Sequence, residues 1–75
     1  MTADEIRAIR KATGLTQAAF ARAYRLNKRT LERWEVGGVE KLDQQTETLL
    51  GMIRADHDLA ALLIRKAFPE PTNQY

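Results

Sequence analysis

Apolar residues recur at helical spacing in five separate stretches of this chain, and none alternates at the period of a strand. Ile6 and Ile9, with Ala12 a weaker member, mark one stripe. Phe20, Ala21 and Tyr24 mark a second, Leu31 and Trp34 a third, and Leu49, Leu50 and Ile53 a fourth. Leu59, Leu62, Leu63, Ile64 and Phe68 make a fifth and broader one. Spacings of three and four bring side chains to one side of an α-helix. The stretch 37–42 is too short and too polar for a strand.

Polar punctuation sets the predicted boundaries. Thr2-Ala3-Asp4-Glu5 reads as a capping box, with a helix running to about Thr13 and stopped by Gly14. Thr16 caps a helix over about Gln17–Tyr24, and Asn27 caps one over about Lys28–Val36. Gly37 stands where a left-handed C-cap belongs, and Gly37-Gly38 opens a loop through Leu42. Asp43 caps about Gln44–Ala55, and Asp56 caps about His57–Phe68. Pro69 stops the last helix, and residues 69–75, PEPTNQY, form a polar tail expected to fray. The prediction is all-α: a compact five-helix bundle in one domain over residues 1–68.

The middle of this pattern carries more than helices. Residues 15–37 read LTQAAFARAYRLNKRTLERWEVG, two short helices joined by a tight turn. Ala21 is small enough for two helices to cross closely, and Leu26 is an apolar plug in the turn. Leu31 and Trp34 face inward, so Lys28, Arg29, Glu32 and Arg33 face outward. A helix that presents basic and amide side chains at its start suits the major groove of DNA.

Gln17, Ala21, Leu26, Leu31, Trp34, Glu35 and Gly37 together resemble the helix-turn-helix of the Cro/C1-type (XRE-like) family. That family includes phage repressors and HigA-type antitoxins. The resemblance is specific over Ile6 to Gly37 and softer from Leu42 to Ile64. It implies a lambda-repressor-like DNA-binding domain, with the motif at about 16–37 and the recognition helix at about 28–36. One position departs from the family pattern. Arg25 stands in the turn where the family has glycine at positive φ, at a cost of roughly 1 kcal/mol or more. The family also links an arginine of its first helix to the glutamate matching Glu35, which points to Arg10.

The DNA-binding residues expected on these grounds are Gln17, Asn27, Lys28, Arg29, Thr30 and Arg33. Gln17 opens a helix, where free N–H groups favour a phosphate. Asn27 caps the recognition helix. Lys28, Arg29 and Arg33 can donate to guanine O6 and N7, or contact phosphate. Thr30 can meet a thymine methyl or a phosphate. Glu32 can accept from cytosine N4, or pair with Lys28 or Arg29 along the helix. Arg25 reads as a bare surface arginine in preference to a phosphate contact.

Charge supports this placement more through its distribution than its sum. The net charge is only +2 over 75 residues. Residues 1–36 hold eight Lys/Arg against four Asp/Glu, and residues 37–75 hold four against six, which is +4 against −2. Clustered positive charge supplies the salt-dependent part of DNA affinity.

Other classes find little footing. Cysteine and serine are absent, and His57 is the lone histidine, flanked by aspartates. No catalytic constellation, metal-ligand spacing or cofactor loop is present, so the chain reads as a non-enzyme without cofactor or metal. No apolar run approaches a membrane span, and the charged start MTADEIRAIRK does not read as a signal peptide. A bacterial or phage cytoplasm follows from the resemblance.

The reading is a sequence-specific regulator, a small repressor at a promoter, its own among the candidates, binding an inverted-repeat operator as a homodimer through its last helix. Leu59, Leu62, Leu63, Ile64 and Phe68 exceed one inward stripe, and Leu63 or Ile64 is the expected outward member. A HigA-type antitoxin that also binds a toxin is the alternative. A protein-interaction module on the same scaffold is a third, disfavoured by Lys28, Arg29 and Arg33.

Overall fold

Local capping chemistry explains where most of the helices begin. A computed structural model describes residues 1–37 and 42–69 of the chain. Among these, five helices and no strand occur: α1 (Ala3–Thr13), α2 (Gln17–Ala23), α3 (Lys28–Gly37), α4 (Gln44–Ala55) and α5 (His57–Ala67). The Glu5 N–H donates to Thr2 Oγ1 and the Thr2 N–H to Glu5 Oε1, both at 3.1 Å, so the capping box is complete. Thr16 accepts from the Ala19 N–H at 3.1 Å. Asn27 accepts from the N–H groups of Arg29 and Thr30 at 2.9 and 3.2 Å. Asp56 accepts from the Leu59 N–H at 3.0 Å. Asp43 occupies the N-cap of α4, but its side chain makes no cap bond.

The helix ends separate into two kinds. Gly14 ends α1 at φ 76°, as its glycine predicts. α2 closes with a two-bond cap. The Leu26 N–H donates to Ala21 O at 2.8 Å and the Arg25 N–H to Arg22 O at 3.5 Å. That pattern needs a left-handed residue between helix and exit, and Arg25 adopts it at φ 58°. α2 therefore stops at Ala23, one residue before the expected Tyr24. Gly37 corrects the sequence expectation: it is the last residue of α3, and its φ is not positive. α5 likewise ends at Ala67, with Phe68 as its C-cap. The expected loop through Leu42 and the tail from Glu70 onward lie largely outside the described residues.

The core is small and continuous. Ile6, Ile9, Phe20, Ala21, Tyr24, Leu31, Leu50, Ile53 and Ala60 are buried together. The rings of Phe20 and Tyr24 sit 4.8 Å apart, tilted by 54°. α1 packs against α2, α3 and α4, while α5 packs mainly on α4. The Tyr24 hydroxyl donates to His57 O at 3.0 Å and ties the end of α2 to the start of α5. Burial raises the Tyr24 phenol above its usual range, with Asp58 adding to the effect, so it stays a donor. Ala12, placed inward from its spacing, is exposed.

α5 buries less than its composition allows. Ala60 is buried, and Ala61 and Ile64 pack partly against the core. Leu59, Leu62, Leu63 and Phe68 are exposed. Ile64 is thus inward and Leu63 outward, which resolves the pair left open by spacing. No helix among the described residues is long and apolar enough to cross a membrane.

Candidate nucleic-acid interface

The exposed side of α3 is built by fixing its other side. Leu31 is fully buried, Trp34 packs partly on the core, and Glu35 is buried at 3% exposure. Arg10 of α1 meets Glu35 side-on, with Nε 2.7 Å from Oε2 and Nη2 2.9 Å from Oε1. Its Nη1 donates to Leu15 O at 3.1 Å. The bond to Glu35 holds the Arg10 guanidinium above its ordinary value, against the opposing effect of burial. Arg7, one turn earlier, donates from Nη1 to the Glu35 carbonyl at 3.0 Å. α3 has no basic residue in its own last turn. Arg7 and Arg10 supply cations there from α1, where the helix dipole favours them.

With that face fixed, Lys28, Arg29 and Arg33 are exposed along α3, and Thr30 is half-buried beside them. Lys28 Nζ lies 3.6 Å from Glu32 Oε2, so Glu32 pairs with Lys28 rather than Arg29. Arg29 and Arg33 form no ion pair among the described residues. They share a stripe with Val36, which is 86% exposed. The order Arg29, Arg33, Val36 follows helical spacing and gives one outward ridge.

The other expected site residues divide. Gln17 is the first residue of α2 and half-buried. α2 is only seven residues long, so its dipole adds little beyond the free N–H groups themselves. Asn27 is exposed, but its side chain is engaged in capping α3. It therefore serves the start of α3 whatever else it touches.

Two residues matter more than their sequence positions indicated. Arg25 is not a bare surface arginine: it donates from Nη1 to Arg22 O at 2.6 Å and from Nη2 to Phe68 O at 2.9 Å. It joins the turn before α3 to the end of α5. Arg7 supports the α3 backbone, and the only signal for this was its position one turn from Arg10. His57 lies near Asp58, with Nδ1 3.3 Å from Oδ1, and no group of metal-ligating side chains occurs among the described residues. Comparison with family models, curated proteins and solved structures finds no match.

Proposed function

We propose that the chain binds double-stranded DNA through α3 and acts as a small transcriptional regulator, a repressor that occupies a promoter. The observation that carries this reading is the two-sided character of α3. Lys28, Arg29 and Arg33 are exposed on one side, while Leu31 and Glu35 are buried on the other. A ridge of cations on a helix held rigidly by its back face can enter the major groove with little loss of entropy. Resemblance to the Cro/C1-type helix-turn-helix supports the same assignment, with α2 as the first helix of the motif and α3 as the recognition helix.

In this reading each residue has a distinct task. Arg29 and Arg33 reach base edges, where bidentate donation to guanine gives specificity. Lys28, partly offset by Glu32, contributes to phosphate affinity. Gln17 steadies the protein on the backbone. Asn27 presents the start of α3. The exposed Leu59, Leu62, Leu63 and Phe68 form a homodimer contact, which pairs two α3 helices on an inverted repeat. The regulator needs no cofactor.

A gel shift on the DNA upstream of its own reading frame, followed by footprinting, tests the proposal. The expected result is a protected inverted repeat bound far more tightly than random duplex. Equal affinity for both sequences, at matched salt, overturns it.

A further inference from the structure

Val36 is left bare on α3 at 86% exposure, more than any other large apolar residue among those described. It lies three residues from Arg33 and seven from Arg29, on the same side of the helix. Arg29, Glu32, Arg33, Val36 and Gly37 line a shallow depression of about 430 Å³ with largely apolar walls. Two arginines thus border an apolar seat. We propose that Val36 is a specificity-determining residue that meets the C5-methyl group of a thymine, resting on the reading of α3 as the helix that enters the major groove.

The chemistry of the groove selects this partner. Unmodified DNA presents donors, acceptors and one kind of apolar group in its major groove, the thymine methyl. The Val36 side chain can make no hydrogen bond to a base edge or a phosphate. Pressed against a polar edge it would leave that edge unpaired, at a cost. Pressed against a methyl, both apolar surfaces leave water. The spacing selects the position. At 1.5 Å per residue, Val36 stands about 4.5 Å beyond Arg33 along the helix axis. That is a little more than the ~3.4 Å between successive bases. The thymine therefore adjoins the base pair that Arg33 contacts. Glu32 lines the same depression, but its carboxylate faces Lys28 Nζ at 3.6 Å and its charge is offset. Gly37 follows Val36 with no side chain, so the end of α3 does not screen the valine.

A uracil scan of the footprinted site tests this, with the full chain and a short duplex of that site. Each thymine is replaced in turn by deoxyuridine, which removes the C5-methyl and keeps every hydrogen-bonding group. Wild type should lose about threefold to fivefold in affinity at one thymine in each half-site, the scale of burying one methyl group. Val36→Ser should bind the thymine and uracil duplexes alike, whereas Arg33→Ala should keep the difference between them. Val36 is exposed, so serine leaves the core untouched, and circular dichroism verifies the fold. Wild type that binds no duplex specifically removes the DNA reading of α3, and this contact with it. Specific binding in which no uracil is costly overturns the thymine contact alone. Discrimination that survives Val36→Ser does the same, and assigns the methyl to another residue such as Thr30. If uracil is harmless but methylating a cytosine strengthens binding by wild type and not by Val36→Ser, the seat takes 5-methylcytosine and thymine is the wrong base.

Discussion

Arg10 and Glu35 are joined through two guanidinium nitrogens and both carboxylate oxygens, across 25 residues of sequence. Glu35 is the one buried charged residue among those described. Removing its partner strands an anion in the core. Arg10→Met is therefore expected to destabilise the fold by ~3–5 kcal/mol. Arg10→Met combined with Glu35→Leu should recover much of that loss, because no charge is left behind. Urea unfolding of both variants decides the matter. A double variant as unstable as the single one would mean that packing, not the stranded charge, carries the cost.

The pH behaviour of this pair follows from the raised Arg10 value. A base whose folded pKa is raised contributes fully below its unfolded pKa and loses that contribution as pH rises through the folded one. For an arginine this window lies in strong alkali. The guanidinium side of the pair therefore holds α3 constantly through neutral pH.

Arg33 is exposed on α3 without an ion pair among the described residues, which leaves its donors available. If it reads a base, Arg33→Ala should cost ~1–3 kcal/mol on the operator and much less on random duplex. Parallel titrations on both DNAs at one salt concentration measure the split. Equal losses on the two would reassign Arg33 to phosphate.

Arg25 carries backbone strain at φ 58° and also makes two useful hydrogen bonds. The two effects separate by substitution. Arg25→Ala loses the side-chain bonds and keeps the strain, whereas Arg25→Gly loses the bonds and relieves it. The glycine variant should be the more stable of the two by ~1 kcal/mol, less the extra freedom of glycine in the unfolded chain. Thermal melts compare them directly. An alanine variant of equal stability would mean that the turn relaxes to negative φ.

How far these features were legible follows from how local their causes are. The side-chain caps at Thr2, Thr16, Asn27 and Asp56 were readable, because a cap needs only its own first turn. The basic ridge was readable too, since Leu31 and Trp34 fix which side of α3 faces out. Gly37 misled because α3 runs one residue past Val36, so Gly37 lies inside the helix with helical rather than left-handed backbone. The order of Leu63 and Ile64 was undetermined, because adjacent residues differ by only one step around the helix. The crossing of α5 over the core decides between them. Arg25 to Phe68 spans 43 residues, and no spacing encodes such a contact.

The capping box at α1 makes a pH prediction of its own. Hydrogen bonds from the backbone and side chain of Thr2 hold the Glu5 carboxyl below its usual value. An acid with a lowered folded pKa stabilises above its unfolded pKa and loses the contribution as pH falls through the folded one. The start of α1 should therefore fray in acid, below the ordinary glutamate range, before the rest of the chain unfolds. Titrating the Glu5 side-chain carbon and the Thr2 amide by NMR follows this. Thr2→Ala keeps the backbone N–H and removes only the hydroxyl, so it should raise the Glu5 value part of the way, and an unchanged value would show that the backbone N–H alone holds the carboxyl down.

The proposed dimer contact makes opposite predictions for two neighbouring residues. Leu63 is 45% exposed, while Ile64 packs partly against the core. Leu63→Glu places a charge on the outer side of α5, next to Leu59 and Leu62. It should abolish self-association without changing the helical signal. Ile64→Glu places the charge against the core, so it should lower stability by several kcal/mol, about the cost of an unpaired buried charge after relaxation. A chain that cannot dimerise presents one α3 at a time and loses half of its contacts to an inverted repeat. Operator affinity of Leu63→Glu should then fall steeply, with half-sites about 10–10.5 bp apart no longer read together. Sedimentation at tens of micromolar protein provides the check, with circular dichroism as the control for folding. Wild type that sediments as a monomer, alone and on the operator, would remove α5 as the dimer surface.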